Sequence, residues 1–157
     1  MTDRALRMKG EREPRTWKGP EHLEKEEIPG MADLNMNILV VDDFATMRRI
    51  VRNVLKQLGY NNVFEADDGT SAVEILKKEK IQFIISDWIM PQMPGIELLK
   101  TVRSTEEWKS LPFLMVTAAG QKENILEAVK LKVNNYIIKP FTHEVLMEKI
   151  NKIFEGK

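Results

Sequence analysis

Cysteine is missing from this chain of 157 residues. That excludes disulfides, thiolate metal centres and cysteine nucleophiles, and it fits a reducing compartment. Histidine is almost missing. The two present, His22 and His143, are too far apart in sequence to suggest an imidazole metal centre or an acid–base pair. Net charge is missing too, because 24 Lys and Arg balance 24 Asp and Glu. General nucleic-acid binding needs a clustered basic excess, so no nucleic-acid partner is expected. No apolar run approaches the roughly 20 residues of a membrane span. The charged N-terminus is not followed by the apolar segment of a secretory signal. No membrane partner is expected, and the cytoplasm is the expected compartment.

What is present divides unevenly. Up to residue 34, charges of both signs alternate, and Gly10, Pro14, Gly19, Pro20, Pro29 and Gly30 interrupt the chain. Leu6, Met8, Trp17, Leu23 and Ile28 follow no helical or strand period. Such a stretch cannot bury enough surface to offset the entropy of ordering it. The expected division is a disordered extension over 1–34 and one folded domain over 35–157. Met31 offers an alternative start for a compact protein.

From Met36 the pattern is regular. Ile81 with Phe83–Ile85 reads as a strand buried on both faces and Ile38–Val41 as another buried strand, and Val63–Ala66, Pro112–Val116 and Tyr136–Ile138 read as further short strands. Between and after them, apolar residues recur at helical spacing, as in Met47, Ile50, Val51, Val54, Leu55 and Leu58. Gly59 closes that first helix and Gly95 opens the third. Alternation of this kind predicts an α/β fold, a doubly wound five-stranded parallel sheet with five helices covering both faces.

The ends of those strands carry the chemistry. Asp42 and Asp43 end the first, Asp87 the third, Thr117 the fourth and Lys139 the fifth. In open α/β sheets ligands bind at the carboxyl ends of the strands. Taken singly, an aspartate there is a turn former or a helix cap, and Lys139 is a solvated surface lysine. Three converging carboxylates, however, repel one another unless a cation joins them. Mg2+ suits oxygen ligands and phosphate, a carboxylate can accept a phosphoryl group, and Lys139 and Thr117 supply a cation and a hydroxyl donor. The set points to phosphoryl chemistry with Mg2+.

Val40-Val41-Asp42-Asp43, Ser86-Asp87-Trp88-Ile89-Met90-Pro91 with Gly95, Val116-Thr117-Ala118 and Lys139-Pro140-Phe141 together resemble the receiver domain of two-component response regulators. The runs Asp43–Asn53, Leu114–Ala118 and Asn151–Glu155 look closest to its chemotaxis members. The resemblance spans about residues 35 to 156. It implies a flavodoxin-like fold with strand order 2-1-3-4-5, an order that the spacing alone does not dictate. It implies that Asp87 accepts a phosphoryl group from the histidine of a kinase. Asp43, Asp87 and the backbone carbonyl of Ile89 would bind Mg2+, with Asp42 acting through a metal-bound water. Lys139 would pair with the phosphoryl group and be followed by a cis bond to Pro140. Thr117 would move toward the phosphoryl oxygens and Tyr136 would turn inward as the switch.

The expected protein is a monomeric signalling switch rather than a classical enzyme, catalysing only its own phosphorylation and dephosphorylation. Because the sequence ends with the fifth helix, output is expected through protein contacts and not through an appended effector. The partners implied are a chemotaxis-type histidine kinase, the flagellar motor switch and a phosphatase. A phosphorelay intermediate or developmental regulator is the alternative use of the same domain. A haloacid dehalogenase-type phosphatase would need a second aspartate two residues after Asp87, where Ile89 stands. An FMN-binding flavodoxin would need a Ser-, Thr- and Gly-rich loop where Asp42-Asp43-Phe44 stands. Ile89 and Ala119 are apolar where the family tunes water access, which implies slow self-dephosphorylation. Pro94 before Gly95, and Val133 and Asn134 before Tyr136, also depart from common family residues.

Overall fold

A computed structural model describes residues 33–118 and 122–155. The extension expected over 1–34 lies, up to residue 32, outside the described residues. At its end Asp33 to Met36 close a turn, with the Met36 amide donating to the Asp33 carbonyl at 3.2 Å.

Among the described residues ten elements alternate: β1 (Ile38–Val41), α1 (Ala45–Gln57), β2 (Val63–Ala66), α2 (Gly69–Lys78), β3 (Phe83–Asp87), α3 (Gly95–Ser104), β4 (Phe113–Ala118), α4 (Lys122–Lys130), β5 (Asn135–Lys139) and α5 (His143–Phe154). The strands form one sheet in the order β2-β1-β3-β4-β5, and every pairing is parallel. This is the doubly wound arrangement expected from the sequence. Every residue of β1 and β3 is buried, which accounts for their continuous apolar runs.

Helices cover both faces. On one, Val51, Val54 and Leu55 of α1 and Leu146, Ile150, Ile153 and Phe154 of α5 pack on alternate strand residues Ile38, Val40, Phe83 and Ile85. Phe83 meets Phe154 edge to face, with ring centroids 5.0 Å apart. On the other, α2, α3 and α4 bring Ala72, Leu76, Leu98, Leu99, Val102 and Ala128 against Leu39, Val41, Ile84 and Met115. Met47 and Met147 fill the edge of the first layer, and Met93 and Trp108 the edge of the second, as packing residues.

Helix ends follow local chemistry. Gly59, at φ 102°, takes the left-handed conformation that ends α1. Asp68 caps α2 by accepting from the Ser71 amide at 2.8 Å, and Thr142 caps α5 by accepting from Val145 at 3.1 Å. At the far end of α3, Arg103 donates to the carbonyls of Lys109, Leu111, Leu131 and Lys132 and to Asn134 Oδ1, tying together the loops that enter β4 and β5.

Strand edges differ slightly from the apolar runs. β3 begins at Phe83 rather than Ile81, because the Ile81 amide bonds back to the Glu79 carbonyl in a turn. Ile81 is nevertheless buried. Among the described residues no helix is long and apolar enough to cross a membrane.

Candidate functional site

The parallel register delivers five side chains to one rim. Val41 pairs with Ser86, and Asp87 pairs with Val116. Asp42 and Asp43 therefore leave the sheet beside Asp87. Thr117 pairs with Ile138, which brings Lys139 to the same edge. One carboxylate oxygen each from Asp42, Asp43 and Asp87 lies within 4.8 Å of the others. The Lys139 ammonium is 3.2 Å from Asp87 Oδ1 and 3.8 Å from Asp42 Oδ2. Asp42, Asp43, Asp87 and Lys139, expected at the strand ends, converge there, and Thr117 stands near the end of β4 at the same edge.

Their environments differ. Asp42 and Asp87 are buried, whereas Asp43 is exposed. Burial pushes the Asp42 carboxyl up to about 6, and nearby Asp87 adds to the rise, although a hydrogen bond from the Phe44 amide (2.9 Å) and the Lys139 charge oppose it. Burial likewise raises Asp87, with Lys139 opposing. Three carboxylates facing one ammonium leave negative charge in excess, and oxygen ligands at this spacing suit a small divalent cation. The donor set fits Mg2+.

Thr117 adds a second kind of incompleteness. Its Oγ1 is buried and has no hydrogen-bond partner among the described residues. An unsatisfied buried hydroxyl costs free energy until an acceptor reaches it. Two large apolar side chains flank the rim in the sequence and stay exposed, Phe44 at 65% and Ile89 at 68%. Ala119 lies outside the described residues. The Lys139–Pro140 peptide is cis.

Gly95 contributes through what it lacks. A Cβ there would stand 2.2 Å from the Asp87 carbonyl oxygen. Its amide donates to the Trp88 carbonyl at 2.8 Å, locking the loop onto the end of β3. The sequence marks Gly95 as a helix opener, but nothing local reveals that it must let the backbone of Asp87 approach.

Tyr136, on β5, is half-buried against the α2–α4 layer. The Lys149 ammonium of α5 lies 5.3 Å from its ring centroid. Tyr136 is set apart from the acidic cluster by three positions of the strand that also presents Lys139.

Residues 38–151 match the response regulator receiver domain family. The chain belongs to that family. This receiver is 57% identical over 121 residues to the chemotaxis protein CheY-3 of Vibrio cholerae serotype O1, spanning 77% of this chain and 93% of the relative. It is 54% identical over 120 residues to the chemotaxis protein CheY of Pseudomonas aeruginosa, spanning 76% and 97%. Among solved structures it is similar to the chemotaxis response regulator CheY4 of Vibrio cholerae. There the TM-score is 0.70 at 33% identity, over 76% of this chain and 98% of that one. The receiver is thus of the CheY type. Phosphorylation on an aspartate and Mg2+ binding at an acidic pocket are general to the family, whose members are signalling proteins.

Proposed function

We propose that the chain is a phosphorylation-driven switch whose acceptor is Asp87, operating between a chemotaxis-type histidine kinase and the flagellar motor switch. The observation that carries this reading is the meeting of Asp42, Asp43 and Asp87 within 4.8 Å, with Lys139 3.2 Å from Asp87. The receiver unit is residues 35–157, with 1–34 preceding it.

Asp43, Asp87 and the Ile89 backbone carbonyl would hold Mg2+, with Asp42 acting through a bound water. When bound, the ion neutralises charge on the incoming phosphoryl oxygens. Asp87 provides the nucleophilic oxygen, which takes the phosphoryl group as its bond to the kinase histidine breaks. Burial of Asp87 keeps competing water from most of its surface. Lys139 pairs with the transferred group from the position where it now pairs with Asp87. The Thr117 hydroxyl, without a partner among the described residues, is the donor placed to bind a phosphoryl oxygen. Its shift opens space into which Tyr136 turns, so a new charge biases a two-state surface.

The readout face is formed by α4, β5 and α5. Leu126 and Val129, Ile138 and Val145 are large apolar side chains left exposed on these three elements. The chemotaxis names of the relatives support partners in that pathway. Output is by protein contact, and catalysis is confined to the domain's own phosphorylation and dephosphorylation.

The test is phosphorylation by acetyl phosphate or a phosphorylated chemotaxis kinase, with and without Mg2+. One acid-stable, base-labile adduct that needs Mg2+ is expected, and none in Asp87→Asn. An equal adduct in the variant would exclude Asp87 as acceptor.

A further inference from the structure

Arg48, in the first turn of α1, takes no part in the site described above, yet its side chain reaches the backbone beneath it. Its Nη1 donates to the Asp42 carbonyl at 2.7 Å and its Nε to Glu65 Oε1 at 2.8 Å. Glu65 is on β2, paired in register with Val40 of β1. The second oxygen of Glu65 accepts from Arg52 Nη1 at 2.8 Å. Arg48 is 18% exposed, against 56% for Arg52. Charge-assisted bonds of this length on a planar fork fix direction as well as position.

The group that Arg48 holds matters. The Asp42 carbonyl belongs to the rigid peptide plane that joins Asp42 to Asp43. The Asp42 amide is already bonded to the Ala66 carbonyl at 3.1 Å, and its carboxylate to the Phe44 amide. With the carbonyl held as well, rotation of the plane that launches Asp43 is blocked. Asp43 is the exposed member of the acidic cluster and depends most on that plane for its direction. A guanidinium beside a cation pocket opposes the pocket through its field. Its benefit must therefore be geometric.

We propose that Arg48 is a positioning residue: braced by Glu65, it holds the Asp42–Asp43 peptide so that both carboxylates face Asp87, and thereby sets the pocket's affinity for a divalent cation. This rests on the reading of the pocket as a Mg2+ site.

Geometry and field predict opposite signs. If Arg48 acted only through its charge, Arg48→Met would strengthen Mg2+ binding and Arg48→Lys would leave it unchanged. As a positioning residue its loss weakens binding in both, since one ammonium cannot span carbonyl and carboxylate as the fork does. Loss of such an outer-shell contact lowers metal affinity on the order of tenfold.

The experiment is Mg2+ titration of the full chain at constant ionic strength, read by fluorescence of Trp88, which directly follows Asp87. Arg52→Met, which removes the same charge but leaves the Asp42 contact, serves as the field control. Thermal melts confirm that each variant is folded at the titration temperature. Weakening in Arg48→Met and Arg48→Lys, with Arg52→Met unchanged or tighter, is expected. Unchanged affinity in both Arg48 variants, or equal weakening in Arg52→Met, would overturn the positioning role alone. A wild-type chain with no saturable response would overturn the Mg2+ reading of the pocket, and this proposal with it.

Discussion

The ammonium of Lys139 stands between two buried carboxylates, 3.2 Å from Asp87 and 3.8 Å from Asp42. It therefore competes with any cation drawn to the pocket while remaining placed to meet a phosphoryl group. Lys139→Met should separate these effects. Mg2+ affinity should rise, because a repelling charge is gone, while the rate of Asp87 phosphorylation falls by at least about tenfold. Trp88 titration and acetyl phosphate kinetics measure the two, and parallel loss of both would contradict the division.

Stability of the Mg2+-free chain should depend on Asp42. Its carboxyl is raised from 3.8 to about 6, so the folded state holds a proton that the unfolded state has already released. The contribution is fully present below pH 3.8 and is lost as pH rises through about 6. Above that, an ionised buried carboxylate costs on the order of 3 kcal/mol. Asp42→Asn should be the more stable protein at pH 7 without Mg2+, with the gap closing toward pH 4. Millimolar Mg2+ should raise the wild-type melting temperature more than that of the variant. Identical pH profiles for the two proteins would count against this.

Two backbone positions make opposite predictions. Lys132, at φ 63°, is left-handed without being glycine, and its carbonyl accepts from Arg103 at 2.9 Å. Lys132→Gly should relieve strain of about 1 kcal/mol and raise the denaturation midpoint without changing phosphorylation. Gly95→Ala should do the reverse, since its Cβ would collide with the Asp87 carbonyl. A loss of roughly 2 kcal/mol and impaired phosphorylation are expected.

The exposed apolar side chains of Phe44 and Ile89 offer an attacking water no hydrogen-bonding partner. Slow self-dephosphorylation should result. Decay of radiolabelled phosphoprotein is the measurement, and Ile89→Asn, which supplies an amide, should hasten it. A fast wild-type decay left unchanged by the substitution would remove Ile89 from the explanation.

Element type and order were legible in the sequence because burial on both faces leaves an unbroken apolar run. Ile38–Val41 and Phe83–Ile85 read as strands for that reason, and α1 shows its stripe from Met47 to Leu58. The residues Asp42, Asp43, Asp87, Thr117 and Lys139 were legible because all of them close such runs, and parallel strands put every closing residue at one rim. How closely the three carboxylates gather, within 4.8 Å, and how Lys139 comes to 3.2 Å from Asp87 were decided by register, which pairs residues tens of positions apart and has no local signature. The same holds for the approach of Gly95 to the backbone of Asp87, for the span of Arg48 from Glu65 to the Asp42 carbonyl, and for the five acceptors of Arg103. Local sequence governs which conformation a segment prefers and which face it buries. Directional contacts between segments exist only after the sheet has closed.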